Sequence, residues 1–125
     1  MNTKDIKQIF LSGFTLLVLD FLFLSFNSKA FGEEIAAVQR VALQLQPIGI
    51  VACYIFIIFG LYYFILQEHR SPLDAFLLGM VVNGVYESTN YATFKKWNPA
   101  LAVMDTLWGG ILFYTTTYLT YMLLG

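Results

Sequence analysis

The chain has 125 residues, of which 58% are hydrophobic and 12% are charged, and its net charge is −1 at pH 7. Soluble domains carry about 25% charged residues, so this composition indicates an integral membrane protein. At about 20 residues per spanning helix, four spans use the whole length, and we expect residues 1–125 to form a single transmembrane domain. The few basic residues form no run that could follow a phosphate backbone, which argues against nucleic-acid binding.

The first predicted span covers about residues 9–26. Lys4 and Lys7 precede it as in a signal peptide, but the apolar segment is too long for a signal core and contains Asp20. We therefore expect a true first span. An aspartate in mid-span costs roughly 2.5–3.5 kcal/mol on insertion scales, so Asp20 must face protein or water.

Residues 29–46 have an amphipathic helical pattern. Phe31 and Ile35 lie on one side of the helix, and Glu33 and Arg40 lie on the other. The pattern predicts an interfacial helix between spans one and two, lying on the membrane surface or capping the bundle. The alternative is an extension of a neighbouring span beyond the membrane.

The second predicted span covers about residues 47–66 and begins with Pro47, which suits a first helical turn. Gly49, Cys53 and Gly60 form a stripe of small residues along it, which favours close helix packing. Cys53 is the one cysteine, so an intrachain disulfide is excluded. The one histidine, His69, follows in a short polar turn, where a solvated loop residue is expected.

Spans three and four are predicted at about residues 73–94 and 100–124. Each follows a capping residue and a proline, in the pairs Ser71-Pro72 and Asn98-Pro99. Basic and indole side chains at the end of span three suit the membrane interface, and these predicted anchors are Lys95, Lys96 and Trp97. Four spans place both termini on the same side of the membrane. The basic residues are divided almost equally between the two surfaces, so their bias does not select the cytoplasmic side.

The most polar face in the predicted spans lies on span three. Asn83, Glu87 and Asn90 follow one another at i, i+4 and i+7, with Tyr86 beside them, so they share one side of a helix. Counted from the surface that holds the turn before span four, Glu87 is about eight residues deep, Asp20 about seven and Asp105 about six. All three carboxyl groups then lie roughly 9–12 Å deep and can occupy one layer. The predicted polar layer consists of Asp20, Asn83, Tyr86, Glu87, Asn90, Asp105 and Trp108.

Three carboxylates at one depth cannot all carry uncompensated charge. Shared protons, a bound cation or an inward-reaching lysine would each satisfy them, and oxygen ligands suit hard cations such as magnesium, calcium or manganese. The same groups could instead hold the helices together through hydrogen bonds. The layer contains no histidine, paired cysteine or serine with a base, which argues against an enzyme. The residues identify neither a metal nor a cofactor.

Two stretches resemble the DUF2177 family of small predicted membrane proteins. They are the run from Tyr86 to Trp97 (YESTNYATFKKW) and the run from Asp105 to Gly109 (DTLWG). The resemblance covers nearly the whole chain and implies four spans with a polar cluster that includes Asp20. The family usually has aspartate in place of Glu87, and commonly tryptophan in place of Phe23. The resemblance implies no activity.

Our working hypothesis is a four-helix membrane bundle whose polar layer binds or translocates a proton, a cation or a small polar solute. The competing hypothesis is a non-catalytic structural or accessory subunit of a larger membrane assembly. In either case the bilayer is the first partner. We also expect a homo-oligomer or a larger complex, because so small a bundle needs further protein to enclose a path.

Overall fold

The computed structural model describes residues 3–39, 47–93 and 98–124, with side chains described for 3–26, 48–92 and 98–124. Within these ranges the chain forms four helices and no strand. They are α1 (Thr3–Gln39), α2 (Pro47–Leu61), α3 (Pro72–Thr93) and α4 (Pro99–Leu124). The predicted all-α class is confirmed.

Helix α1 has 37 residues, and at 1.5 Å per residue it is about 55 Å long, which exceeds a hydrocarbon core of about 30 Å. Residues 29–39 continue α1 without a break. This continuation corresponds to the alternative of an extended span, and not to a separate helix that begins at residue 29. The rest of the predicted amphipathic segment, residues 40–46, lies outside the described residues.

Helix α2 ends in a π-helical segment, Tyr62–Leu66, in which the N–H of Gln67 donates to the carbonyl of Tyr62 at 2.8 Å. His69 then adopts a left-handed conformation with φ of 51°. Its N–H donates to the carbonyl of Leu66 at 3.1 Å, and the N–H of Arg70 donates to that of Ile65 at 2.9 Å. This pair of bonds closes the helix end and reverses the chain toward α3.

Helices α3 and α4 form the closest pair in the described fold. A Cβ atom added to Gly79 would lie 2.0 Å from the carbonyl oxygen of Gly109, and one added to Gly109 would lie 2.6 Å from that of Gly79. Two backbones can approach this closely only where both side chains are absent. The small residues of α2 do not serve this purpose within the chain, because a Cβ on Gly60 would meet no atom within 4 Å and Cys53 is exposed.

The apolar core lies toward the end of the molecule where α2 turns into α3. It consists of Leu16, Leu61, Tyr62, Ile65, Leu66, Ala75, Leu112 and Phe113. The outward faces of α1 and α2 carry large apolar side chains instead, including Phe10 (74% exposed) and Phe56 (75% exposed). Two helical segments, Thr3–Phe26 and Ile48–Leu66, are long and apolar enough to cross a membrane, with mean hydropathies of 2.2 and 2.4.

Candidate functional site

The carboxyl group of Asp20 joins three helices. Its Oδ1 accepts a hydrogen bond from Nε1 of Trp108 on α4 at 2.9 Å, and its Oδ2 accepts one from the hydroxyl of Tyr54 on α2. Both oxygens therefore accept hydrogen bonds from side chains of other helices. Asp20, which must avoid lipid, thus faces other helices of the protein.

Phe23 fixes the orientation of the indole that binds Asp20. The rings of Phe23 and Trp108 stack with centroids 4.5 Å apart and planes inclined by 7°. Phe23 follows Asp20 by three residues, so both side chains lie on the same side of α1. An aromatic ring therefore supports Trp108 at the position where the family resemblance expects a tryptophan.

The second part of the site lies between α3 and α4. Glu87 is only 3% exposed, and its carboxyl group lies beside that of Asp105 on α4. A carboxylate offers only acceptors, so a hydrogen bond between two carboxyl groups requires a proton on one of them. Two carboxyl groups in contact can share one proton in this way.

Asn83 and the two glycines set the geometry of this pair. Nδ2 of Asn83 donates to the backbone carbonyl of Asp105 at 3.0 Å, which links α3 to α4 one turn before Glu87. A Cβ on Gly109 would lie 2.6 Å from the carboxamide of Asn83. The absence of a side chain at Gly109 therefore lets both Asn83 and Glu87 reach α4.

An open groove of about 230 Å³ lies between α3 and α4 beside the pair. Apolar side chains dominate its walls, and the carboxyl group of Glu87 and the hydroxyl-bearing residues Ser88 and Thr106 supply its polar part. The full lining is Met80, Glu87, Ser88, Ala102, Val103, Thr106 and Leu107. Glu87 is thus one of the residues that line this groove.

The structure does not gather every residue of the predicted layer. Tyr86 is 57% exposed and lies on the outer side of α3. Asn90 is half-buried one turn after Glu87. The predicted anchors Lys95, Lys96 and Trp97 lie outside the described residues. The other members, Asp20, Asn83, Glu87, Asp105 and Trp108, form the two linked parts described above.

Sequence reasoning missed Tyr54, the second donor to Asp20, and emphasised its neighbour Cys53 instead. The available signal was a hydroxyl-bearing side chain in a uniformly apolar run, at nearly the same depth as Asp20. It also missed a set of buried polar side chains toward the core end of the molecule. These are Gln8, Ser12, Thr116, Thr117 and Thr120.

The described carboxyl groups do not converge on one point. Among the residues that the structure describes, no three histidine, cysteine, aspartate or glutamate side chains are close enough together to hold a metal ion. The site therefore consists of Asp20, which is hydrogen-bonded to α2 and α4, and the neighbouring carboxyl groups of Glu87 and Asp105.

A family model described as a predicted membrane protein family, DUF2177, matches residues 6–122. This match covers nearly the whole chain and confirms the resemblance drawn from the sequence motifs. No curated protein and no solved structure matches the chain.

Proposed function

This chain belongs to the DUF2177 family of predicted membrane proteins, and from that premise we propose that it is a four-span integral membrane protein whose polar layer binds and passes a proton. The proximity of the carboxyl groups of Glu87 and Asp105 carries the proposal, because two neighbouring carboxyl groups at a buried position between two helices are favoured by sharing a proton. Intramembrane ionisable groups typically mark such pathways.

The lengths of α3 and α4 support four spans. They have 22 and 26 residues, or about 33 and 39 Å, which match a hydrocarbon core of about 30 Å with some tilt. Their polar residues lower their mean hydropathy, yet Asn83, Glu87 and Asp105 are turned toward the partner helix. Four spans would place both termini on one side of the membrane.

The Glu87–Asp105 pair favours a proton over the other two candidate ligands, a cation and a small polar solute. A metal cation would need several oxygen ligands around one point, and the described carboxyl groups do not provide them. A hydrogen-bonded pair of carboxyl groups, in contrast, accepts or releases one proton with little movement of heavy atoms.

Proton flux into liposomes tests this proposal. The purified protein is reconstituted with a pH-sensitive dye inside the vesicles and a potassium diffusion potential across them. We expect flux above that of protein-free vesicles, and at least a tenfold loss in Glu87→Gln. Glu68→Gln changes a carboxylate in the exposed turn before α3 and should leave flux unchanged. A wild type that conducts no more than empty vesicles, or a Glu87→Gln protein with full flux, would overturn the proposal.

A non-catalytic accessory subunit is the second candidate, and the exposed apolar faces of α1 and α2 favour it. Phe10 and Phe56 project from faces that no described residue of the chain covers, and a partner protein would suit them as well as lipid does. Purification in mild detergent separates the candidates. A subunit should co-purify with the same membrane proteins at fixed stoichiometry, whereas a stable protein that purifies alone or as a homo-oligomer contradicts that role.

A further inference from the structure

The groove between α3 and α4 has a composition that differs from the rest of the outer surface. Val103 and Leu107 at its α4 side are 60% and 46% exposed, and Met80 on α3 adds a third apolar side chain. Glu87 also lines the groove, with only 3% of its surface exposed. The groove therefore combines apolar walls with one buried hydrogen-bonding group.

We propose that this groove is a binding site, open to the bilayer, in which a small apolar molecule with one hydrogen-bonding group contacts the carboxyl group of Glu87. The proposal rests on the four-span arrangement, which places α3 and α4 within the lipid. It adds a ligand class and a route of entry to the proton site.

The size of the groove limits the ligand. Sites for drug-sized molecules measure about 300–1,000 Å³, and this groove of about 230 Å³ is smaller. It can hold the polar end and a short apolar segment of a molecule, while the remainder stays in lipid. A transmembrane helix, at about 10 Å across, is too wide to enter it.

The chemistry of the lining defines the polar group of the ligand. The hydroxyl of Thr106 already donates to the carbonyl of Ala102 at 2.9 Å, so Glu87 and the hydroxyl of Ser88 are the lining groups that can give directional contacts. A hydroxyl, amine or amide nitrogen on the ligand would compete with Asp105 for the carboxyl group of Glu87. Occupation of the groove would therefore block proton exchange within the pair.

An apolar carbodiimide, dicyclohexylcarbodiimide, is the probe that tests this site. The carboxyl O–H of Glu87 adds across one C=N bond, so that an O–C bond forms and the proton moves to nitrogen. The acyl group then migrates from oxygen to nitrogen to give a stable N-acylurea, and no group is lost. Mass spectrometry of the protein labelled in lipid vesicles should find one carbodiimide mass on Glu87.

Three variants test whether the carbodiimide reaches Glu87 through the groove. Glu87→Gln should abolish the label. Val103→Trp fills the groove and should slow labelling at least tenfold, whereas Ile111→Trp, an equal enlargement on an exposed part of α4 outside the groove, should not. A water-soluble carbodiimide should leave Glu87 unlabelled while it modifies the exposed Glu68.

The outcomes separate this inference from the proton-flux proposal. Labelling of Glu87 through the groove without any flux supports the site and contradicts the transport role. Flux without labelling, or equal labelling in Val103→Trp, overturns the site. Labelling in detergent but not in vesicles also overturns it, because a second copy or another protein then covers the groove in the membrane.

Discussion

Nε1 of Trp108 lies 2.9 Å from Oδ1 of Asp20, and this bond joins residues 88 positions apart in the chain. Together with the bond from Tyr54, it places one carboxylate at the meeting point of α1, α2 and α4. This part of the polar layer thus also links α1 to α2 and α4. Substitutions in it should affect stability as well as any proton transfer.

Trp108→Phe should destabilise the protein by about 1–2 kcal/mol. It keeps an aromatic ring that can stack on Phe23 but removes the Nε1–H that donates to Oδ1 of Asp20. Thermal unfolding in detergent, followed by circular dichroism, measures the change. Tyr118→Phe, which alters an exposed ring on the same helix, is the control and should unfold as the wild type does. An unchanged midpoint for Trp108→Phe would show that the bond contributes nothing.

Gly79→Ala should lower the free energy of unfolding by about 3 kcal/mol or more. The added Cβ would lie 2.0 Å from a backbone oxygen of α4 that cannot move aside. The α3–α4 pair must separate, and the contact between Glu87 and Asp105 should be lost with it. Gly60→Ala is the matched control. Its Cβ meets no atom within 4 Å, so the variant should lie within about 1 kcal/mol of wild type, on the stabilised side. Equal unfolding midpoints for the two variants would contradict the close approach of α3 and α4.

Substitutions of His69 test the left-handed backbone conformation in the turn between α2 and α3. His69→Val and His69→Gly both remove the ring that stacks on Tyr121 at 4.2 Å, so their difference reports the backbone alone. A φ of 51° is open to glycine and strained for a β-branched residue. His69→Gly should therefore be more stable than His69→Val by about 1–2 kcal/mol. Equal stability in a chemical denaturation series would rule out the left-handed turn.

The sequence pattern predicted the helical class, the helix starts at Pro47, Pro72 and Pro99, and a polar face on α3, because caps, prolines and helical periodicity are local signals. It also predicted that Ser71 caps α3, and the N–H of Asp74 does donate to its Oγ at 3.2 Å. The pattern favoured a separate interfacial helix over a continuous α1 through residues 29–39. Amphipathic periodicity is the same in a separate helix and in an extension of a span, so the pattern alone could not separate them.

The sequence could not predict which side chains contact each other between helices. Depth placed Asp20, Glu87 and Asp105 in one layer, but the direction of each side chain depends on helix rotation, which Gly79 and Gly109 set. The rotation of α3 against α4 pairs Glu87 with Asp105 and turns Tyr86 outward, while the separate packing of α1 against α2 brings Tyr54 to Asp20. The sequence of each helix, taken alone, does not favour one of these pairings over another.

Infrared spectroscopy of the carboxyl groups tests the shared proton most directly, because the C=O stretch of a protonated carboxyl is separate from the stretches of a carboxylate. The spectrum is recorded at neutral pH on the protein in lipid, for the wild type and for Glu87→Gln, Asp105→Asn and Glu68→Gln. The account predicts a protonated-carboxyl band in the wild type that persists in Glu68→Gln and is lost or shifted in both variants of the pair. A wild-type spectrum without this band, or a band unchanged by Glu87→Gln and Asp105→Asn, would contradict a proton held between Glu87 and Asp105.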